Sequence, residues 1–130
     1  MLQPPQDKLI QYCEAHTSPQ SSLLYELERE TWLKTLAPQM LSGHLQGRIL
    51  SMISQLKSPR RILEVGTFTG YATLCLAEGL PADGQLVTIE ANPELAWFIE
   101  KYKKKAGLSG QIRNITGRAE VVIPALEETF

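Results

Sequence analysis

The stretch Arg61-Ile62-Leu63-Glu64-Val65-Gly66-Thr67-Phe68-Thr69-Gly70-Tyr71 constrains this chain more than any other. An apolar run of strand length enters a glycine corner and leaves it as a helix, with a carboxylate two residues before the first glycine. A second apolar strand, Leu86-Val87-Thr88-Ile89, ends on a second carboxylate, Glu90, twenty positions after Gly70. Strand, glycine loop, helix, strand and terminal acid make a βαβ unit. Such a unit seats a nucleoside-bearing ligand, because the glycines admit it against backbone and the acid accepts hydrogen bonds from a ribose diol.

Spacing separates two ligand classes. Dinucleotide sites use G-x-G-x-x-G, whose close-set glycines and helix N-terminus receive a pyrophosphate. Glu64-x-Gly66-x-x-x-Gly70 departs from that pattern. A carboxylate at Glu64 repels a pyrophosphate yet suits the ammonium of an amino-acid group, directly or through water. The residues therefore favour S-adenosylmethionine over NAD. At the end of an apolar strand Glu64 needs a partner, either the methionine end of that cofactor or nearby backbone N–H groups.

Composition narrows the class further. The 130 residues, 43% hydrophobic, suffice for one domain with a core, and a net charge of −1 gives no standing attraction to nucleic acid. No run approaches the roughly 20 apolar residues of a membrane span. Met1-Leu2-Gln3-Pro4-Pro5-Gln6-Asp7 lacks the charged start and apolar segment of a secretory signal. The expectation is a soluble, cytoplasmic protein that engages neither membrane nor nucleic acid. Cys13 and Cys75, 62 positions apart and without a C-x-x-C or His partner, read as free thiols, and Cys75 between Leu74 and Leu76 reads as packing. His44 has no second ligand at metal spacing and reads as a structural or lid residue, with His16 weaker still. Lys101, Lys103, Lys104 and Lys105 read as a solvated helix end.

Punctuation along the chain orders the elements. A helix is expected near Asp7 to Ala15, and a second follows Ser18-Pro19, with Ser18 as N-cap and Leu23, Leu24, Leu27 and Thr31 at helical spacing. A third spans about Leu45 to Leu56, where Leu45, Ile49, Met52, Ile53 and Leu56 form one apolar stripe before Ser58-Pro59. Strand Arg61 to Val65, helix Thr69 to Glu78 and strand Leu86 to Glu90 come next. Asn92-Pro93-Glu94 then caps a helix with Leu95, Phe98, Ile99, Tyr102 and Ala106 inward, which stops at Gly107 before strand Gln111 to Thr116. Right-handed crossovers give a Rossmann-like α/β parallel sheet, order 3-2-1, with helices on both faces and the crevice at the strands' carboxyl ends.

With these motifs the chain resembles the class I methyltransferases, and within them the cation-dependent O-methyltransferases related to the catechol and caffeoyl-coenzyme A enzymes. The likeness runs from about Met40 to Ile123. It rests on Met40-Leu41-Ser42-Gly43-His44-Leu45-Gln46-Gly47, on Ile62 through Tyr71, on Thr88-Ile89-Glu90-Ala91-Asn92, and on Gly117-Arg118-Ala119 before Ile123-Pro124. The resemblance implies a helical segment at 1–58 and the N-terminal half of a cofactor domain at 59–130. In the family a fourth strand pairs with the first, so the chain reads as the N-terminal portion of a larger enzyme, truncated or completed by a partner. Cofactor contacts are implied for Glu64, Gly66, Thr67, Thr69, Gly70, Tyr71, Glu90, Ala91, Gly117, Arg118 and Ala119, with Met40 and Ser42 covering the cofactor from outside the sheet. Arg118 either stacks on the base or is an exposed charge. The family's hydroxyl residue after the tyrosine is Ala72 here, so backbone N–H groups or Thr69 would take that contact. Further implications are methyl transfer to a hydroxyl of a small, phenolic or catechol-like acceptor, a homodimer, and a magnesium ion whose ligands fall beyond Phe130. No catalytic base or metal ligand is assigned, and the chain alone is expected to be a poor catalyst. A non-catalytic domain that keeps the cofactor fold and an NAD-binding oxidoreductase half-domain stand as the alternatives.

Overall fold

A computed structural model describes residues 5–130. Three helices come first: α1 (Pro5–Ala15), α2 (Ser22–Lys34) and α3 (Gly43–Lys57). Strands and helices then alternate as β1 (Arg61–Val65), α4 (Tyr71–Ala77), β2 (Gln85–Glu90), α5 (Ala96–Lys105), β3 (Ile112–Thr116) and α6 (Ala119–Val122). The strands pair in parallel with β2 central, so that Val65 lies beside Ile89 and Glu90 beside Thr116. This is the expected 3-2-1 order.

Alternation along each strand sorts the side chains onto two faces. Ile62, Leu86 and Ile112 pack into one cluster with Leu74 of α4 and with Phe98, Ile99 and Tyr102 of α5. Leu24 and Leu27 of α2 join the same cluster, as their spacing predicts, so the helical segment and the half-sheet share a core. On the other face the chain returns after β3. There α6 contacts β2, and Arg113 pairs with Glu128 at 2.6 Å.

The start of α2 differs from the expected one. Ser21, not Ser18, caps it, accepting the Leu24 N–H at 3.2 Å, and residues 18–21 stay outside the helix. The cause is tertiary: Gln20 Nε2 donates to the Tyr71 hydroxyl at 2.6 Å and to Glu28 at 2.8 Å, which holds this segment against α4.

A second difference concerns α3. Its apolar stripe does not face the core, since Ile49, Met52, Ile53 and Leu56 are between 52% and 81% exposed. Instead α3 turns Gly47, Ser51 and Ser54 toward α4. A Cβ on Gly47 would stand 2.8 Å from Tyr71 Cε1, and one on Gly79 would stand 2.3 Å from the Ser54 carbonyl carbon. Only small residues permit so close an approach. Polar groups then lock the seam: Arg48 pairs with Glu78 at 2.6 Å, Ser51 donates to Glu78 at 2.5 Å, and Ser54 donates to the Leu76 carbonyl at 2.6 Å.

Candidate functional site

The site begins where β1 ends. Gly66 and Thr67 donate their N–H groups to the Ile89 carbonyl at 2.8 and 3.2 Å, carrying the ladder one step beyond the strand. Gly66 has φ 91, and nothing lies within 4 Å of a Cβ built on it. Its backbone is thus open to a ligand, while its φ alone demands glycine. Gly70, at φ 96, answers a second demand, because a Cβ there would stand 2.7 Å from Ile99 Cδ1.

Two carboxylates flank this corner at the carboxyl ends of neighbouring strands. Glu64 is half-buried, and its Oε1 accepts the Thr73 and Thr88 hydroxyls, each at 2.5 Å. Thr88 in turn lies 2.5 Å from the Thr67 hydroxyl. Burial pushes the Glu64 carboxyl above the usual range, against the pull of the Thr73 and Thr88 bonds, and the Glu90 charge adds to the rise. The partners of Glu64 are therefore hydroxyls, where the sequence had left open backbone N–H groups.

Glu90 is tied to backbone. Its Oε2 accepts the Phe68 N–H at 2.7 Å and its Oε1 the Asn92 N–H at 3.0 Å. Phe68 sits at φ 51, so this bond holds the loop in a left-handed conformation that a phenylalanine rarely adopts. A carboxylate has about four acceptor positions, and lone pairs remain for a diol. Gly117, beyond β3, donates to the Glu90 carbonyl at 2.9 Å, and Ala91 is exposed beside it. Arg118 is exposed and paired with Glu120, and Ala119 opens α6.

Some expected contacts point elsewhere. The Thr69 hydroxyl is fully buried and lies 2.9 Å from the Thr31 hydroxyl, whose own proton goes to the Leu27 carbonyl, so Thr69 faces α2 and does not replace the hydroxyl missing at Ala72. Tyr71 is 2% exposed, with its ring under α3 and its hydroxyl on Gln20, so only its backbone borders the loop. Met40 ends the turn Pro38–Met40 and is 69% exposed, and Ser42 follows it at the start of α3. His44 Nδ1 is buried without a partner among the described residues, and the His16 ring stacks on Tyr12. Thr73 and Thr88, whose hydroxyls bond Glu64, were not among the candidate contacts named from the sequence. Their signal was faint: one threonine in the helix Tyr71-Ala72-Thr73-Leu74 and one in an apolar strand.

A three-stranded parallel sheet with an acid-flanked glycine corner defines a Rossmann-like α/β fold. The chain belongs to the O-methyltransferase family, whose model matches residues 14–129. It is 40% identical over 83 residues to the catechol O-methyltransferase of Niastella koreensis, covering 64% of this chain and 38% of that protein. It is 38% identical over 89 residues to the transmembrane O-methyltransferase of Homo sapiens, covering 68% of this chain and 31% of that one. The S-adenosylhomocysteine-bound methyltransferase of Podospora anserina superposes with a TM-score of 0.89 at 28% identity, over 100% of this chain and 57% of its own. The Streptomyces achromogenes O-methyltransferase involved in tomaymycin synthesis, in complex with S-adenosylmethionine, gives 0.87 at 29% identity, over 97% and 57%. The chain thus spans under two-fifths of these curated relatives and somewhat over half of these solved structures. No helix among the described residues is long and apolar enough to cross a membrane.

Proposed function

We propose that this chain forms the cofactor half of an S-adenosylmethionine-dependent O-methyltransferase that methylates a hydroxyl of a small, catechol-like or other phenolic acceptor. One observation carries the reading: Glu64 and Glu90 stand at the ends of adjacent strands with the open backbone of Gly66 between them. Glu64 takes the ammonium of the methionine end, and Glu90 takes the ribose hydroxyls. Gly66, Thr67 and the backbone of Thr69, Gly70 and Tyr71 border the methionine end. Ala91, Gly117, Arg118 and Ala119 flank the adenine, and Met40 and Ser42 close over it. The cofactor supplies an electrophilic methyl group on a sulfonium, so the protein's work is to hold the sulfonium and an acceptor oxygen in line.

Kinship also implies a divalent cation. No three His, Cys, Asp or Glu side chains come together among the described residues, so the residues present do not fit one. A homodimer and cytoplasmic residence complete the proposal, and both rest on kinship and composition. Calorimetric titration tests the reading: S-adenosylhomocysteine binds and NADH does not. Binding of NADH in preference would overturn it.

A further inference from the structure

Thr73 is an unusual helical threonine in this protein. Thr31 and Thr35 each donate to the carbonyl four residues back, at 2.8 Å, the ordinary local bond of a threonine in or ending a helix. Thr73 instead sends its hydroxyl out of α4 to Glu64 Oε1 at 2.5 Å. Thr88 does the same from β2, at the same distance and to the same oxygen. Both threonines are 0% exposed. A buried hydroxyl costs free energy unless bonded, and valine would fill the same volume without that cost.

Counting protons fixes the direction of the chain. Thr88 has one proton and gives it to Glu64, so the Thr67 hydroxyl donates to Thr88 Oγ. Every donor then points toward Glu64 Oε1, and hydrogen bonds donated to a carboxyl group favour its charged form over its neutral one. The other oxygen behaves differently. No described residue donates to Oε2, and it is not among the buried polar atoms left unpaired. One oxygen is anchored and the other is left for a ligand.

We propose that Thr73 and Thr88 are positioning residues that anchor Glu64 by one oxygen and aim its second oxygen at the cofactor's ammonium. The proposal rests on the reading of Glu64 as the receptor of that ammonium, and it concerns two residues to which no role has been given so far. Burial raises the Glu64 carboxyl while the two hydroxyl bonds lower it, so losing either bond raises it further. A falling pH then discharges Glu64 earlier in the variant than in the parent protein.

The test compares two probes on the full chain. S-adenosylhomocysteine carries the amino-acid end, and 5′-methylthioadenosine carries the adenosine and the thioether without it. Thr73→Val is expected to weaken S-adenosylhomocysteine on the order of ten-fold, the scale of one hydrogen bond to a charged group, and to leave methylthioadenosine unchanged. Its binding midpoint against pH moves upward, and Thr73→Ser restores both readouts. Thr88→Val repeats the pattern independently, which keeps the test decisive should Thr73→Val fold poorly. Equal losses for both probes, or none, overturn the positioning role and leave Glu64 as the receptor. If the parent protein binds both probes equally, or Glu64→Gln changes nothing, the reading of Glu64 falls and this inference with it.

Discussion

Glu90 accepts two backbone N–H groups, one of them from a left-handed Phe68, so it shapes the loop that it also helps to fill. The sequence assigns Glu90 only to a ribose diol, a role whose loss in Glu90→Ala would reach the ligand, and the bond to Phe68 adds a role in the fold. The structure predicts both effects. Loss of the bond to Phe68 should lower stability by about 1–3 kcal/mol in urea denaturation, and S-adenosylhomocysteine affinity should fall by roughly ten-fold or more in calorimetry. Unchanged stability would show that Phe68 holds its conformation without Glu90. Glu64 was legible as a candidate site residue because an acid at the end of an apolar strand demands a reason. Thr73 and Thr88 were not, because threonine is common in strands and tolerated in helices, and only the fold reveals where a hydroxyl points.

Between elements, contacts the sequence does not display decide the packing. Glu30 joins α2 to α5, accepting Lys101 at 2.7 Å, Tyr102 at 2.6 Å and, within α2, Lys34 at 2.7 Å. Burial alone raises its carboxyl, but the bonds from Lys101, Lys34 and Tyr102 outweigh burial and hold it at about 2, against an ordinary 4.5. A depressed folded-state value means that Glu30 contributes stability above the unfolded pKa and loses it as pH falls toward the folded one. Glu30→Gln should therefore melt below the parent protein at neutral pH. The gap in Tm should close between about pH 4.5 and pH 2. The seam between α3 and α4 gives another expectation. Because a Cβ on Gly79 would lie 2.2 Å from Ser54 Oγ and 2.3 Å from Ser54 backbone, Gly79→Ala should cost about 1–3 kcal/mol in urea denaturation through overpacking. A neutral result would mean that the helices part freely.

At the scale of the molecule, the apolar features left uncovered among the described residues include the outer edge of β1, where Val65 is 59% exposed, and the stripe along α3. Beside that stripe an open groove of about 740 Å³ runs between α1 and α3, lined by Cys13, His16, Ile49, Met52 and Leu56. A net charge of −1 offers little repulsion between copies. Sedimentation velocity should show association that grows with concentration, and Met52→Lys with Leu56→Lys should reduce it without lowering Tm, since both side chains are exposed. Association untouched by these changes would place the contact elsewhere, with the β1 edge the next candidate. Sequence alone determined the βαβ order, the glycine corner and its two acids, because hydrophobic period, positive-φ turns and a charge beside an apolar run are local properties of a chain. Tertiary structure decided which face of α3 is buried, where α2 begins, and which hydroxyls serve Glu64. Each of those depends on how closely two distant segments approach, and interatomic distance across the fold is written in no single stretch of residues.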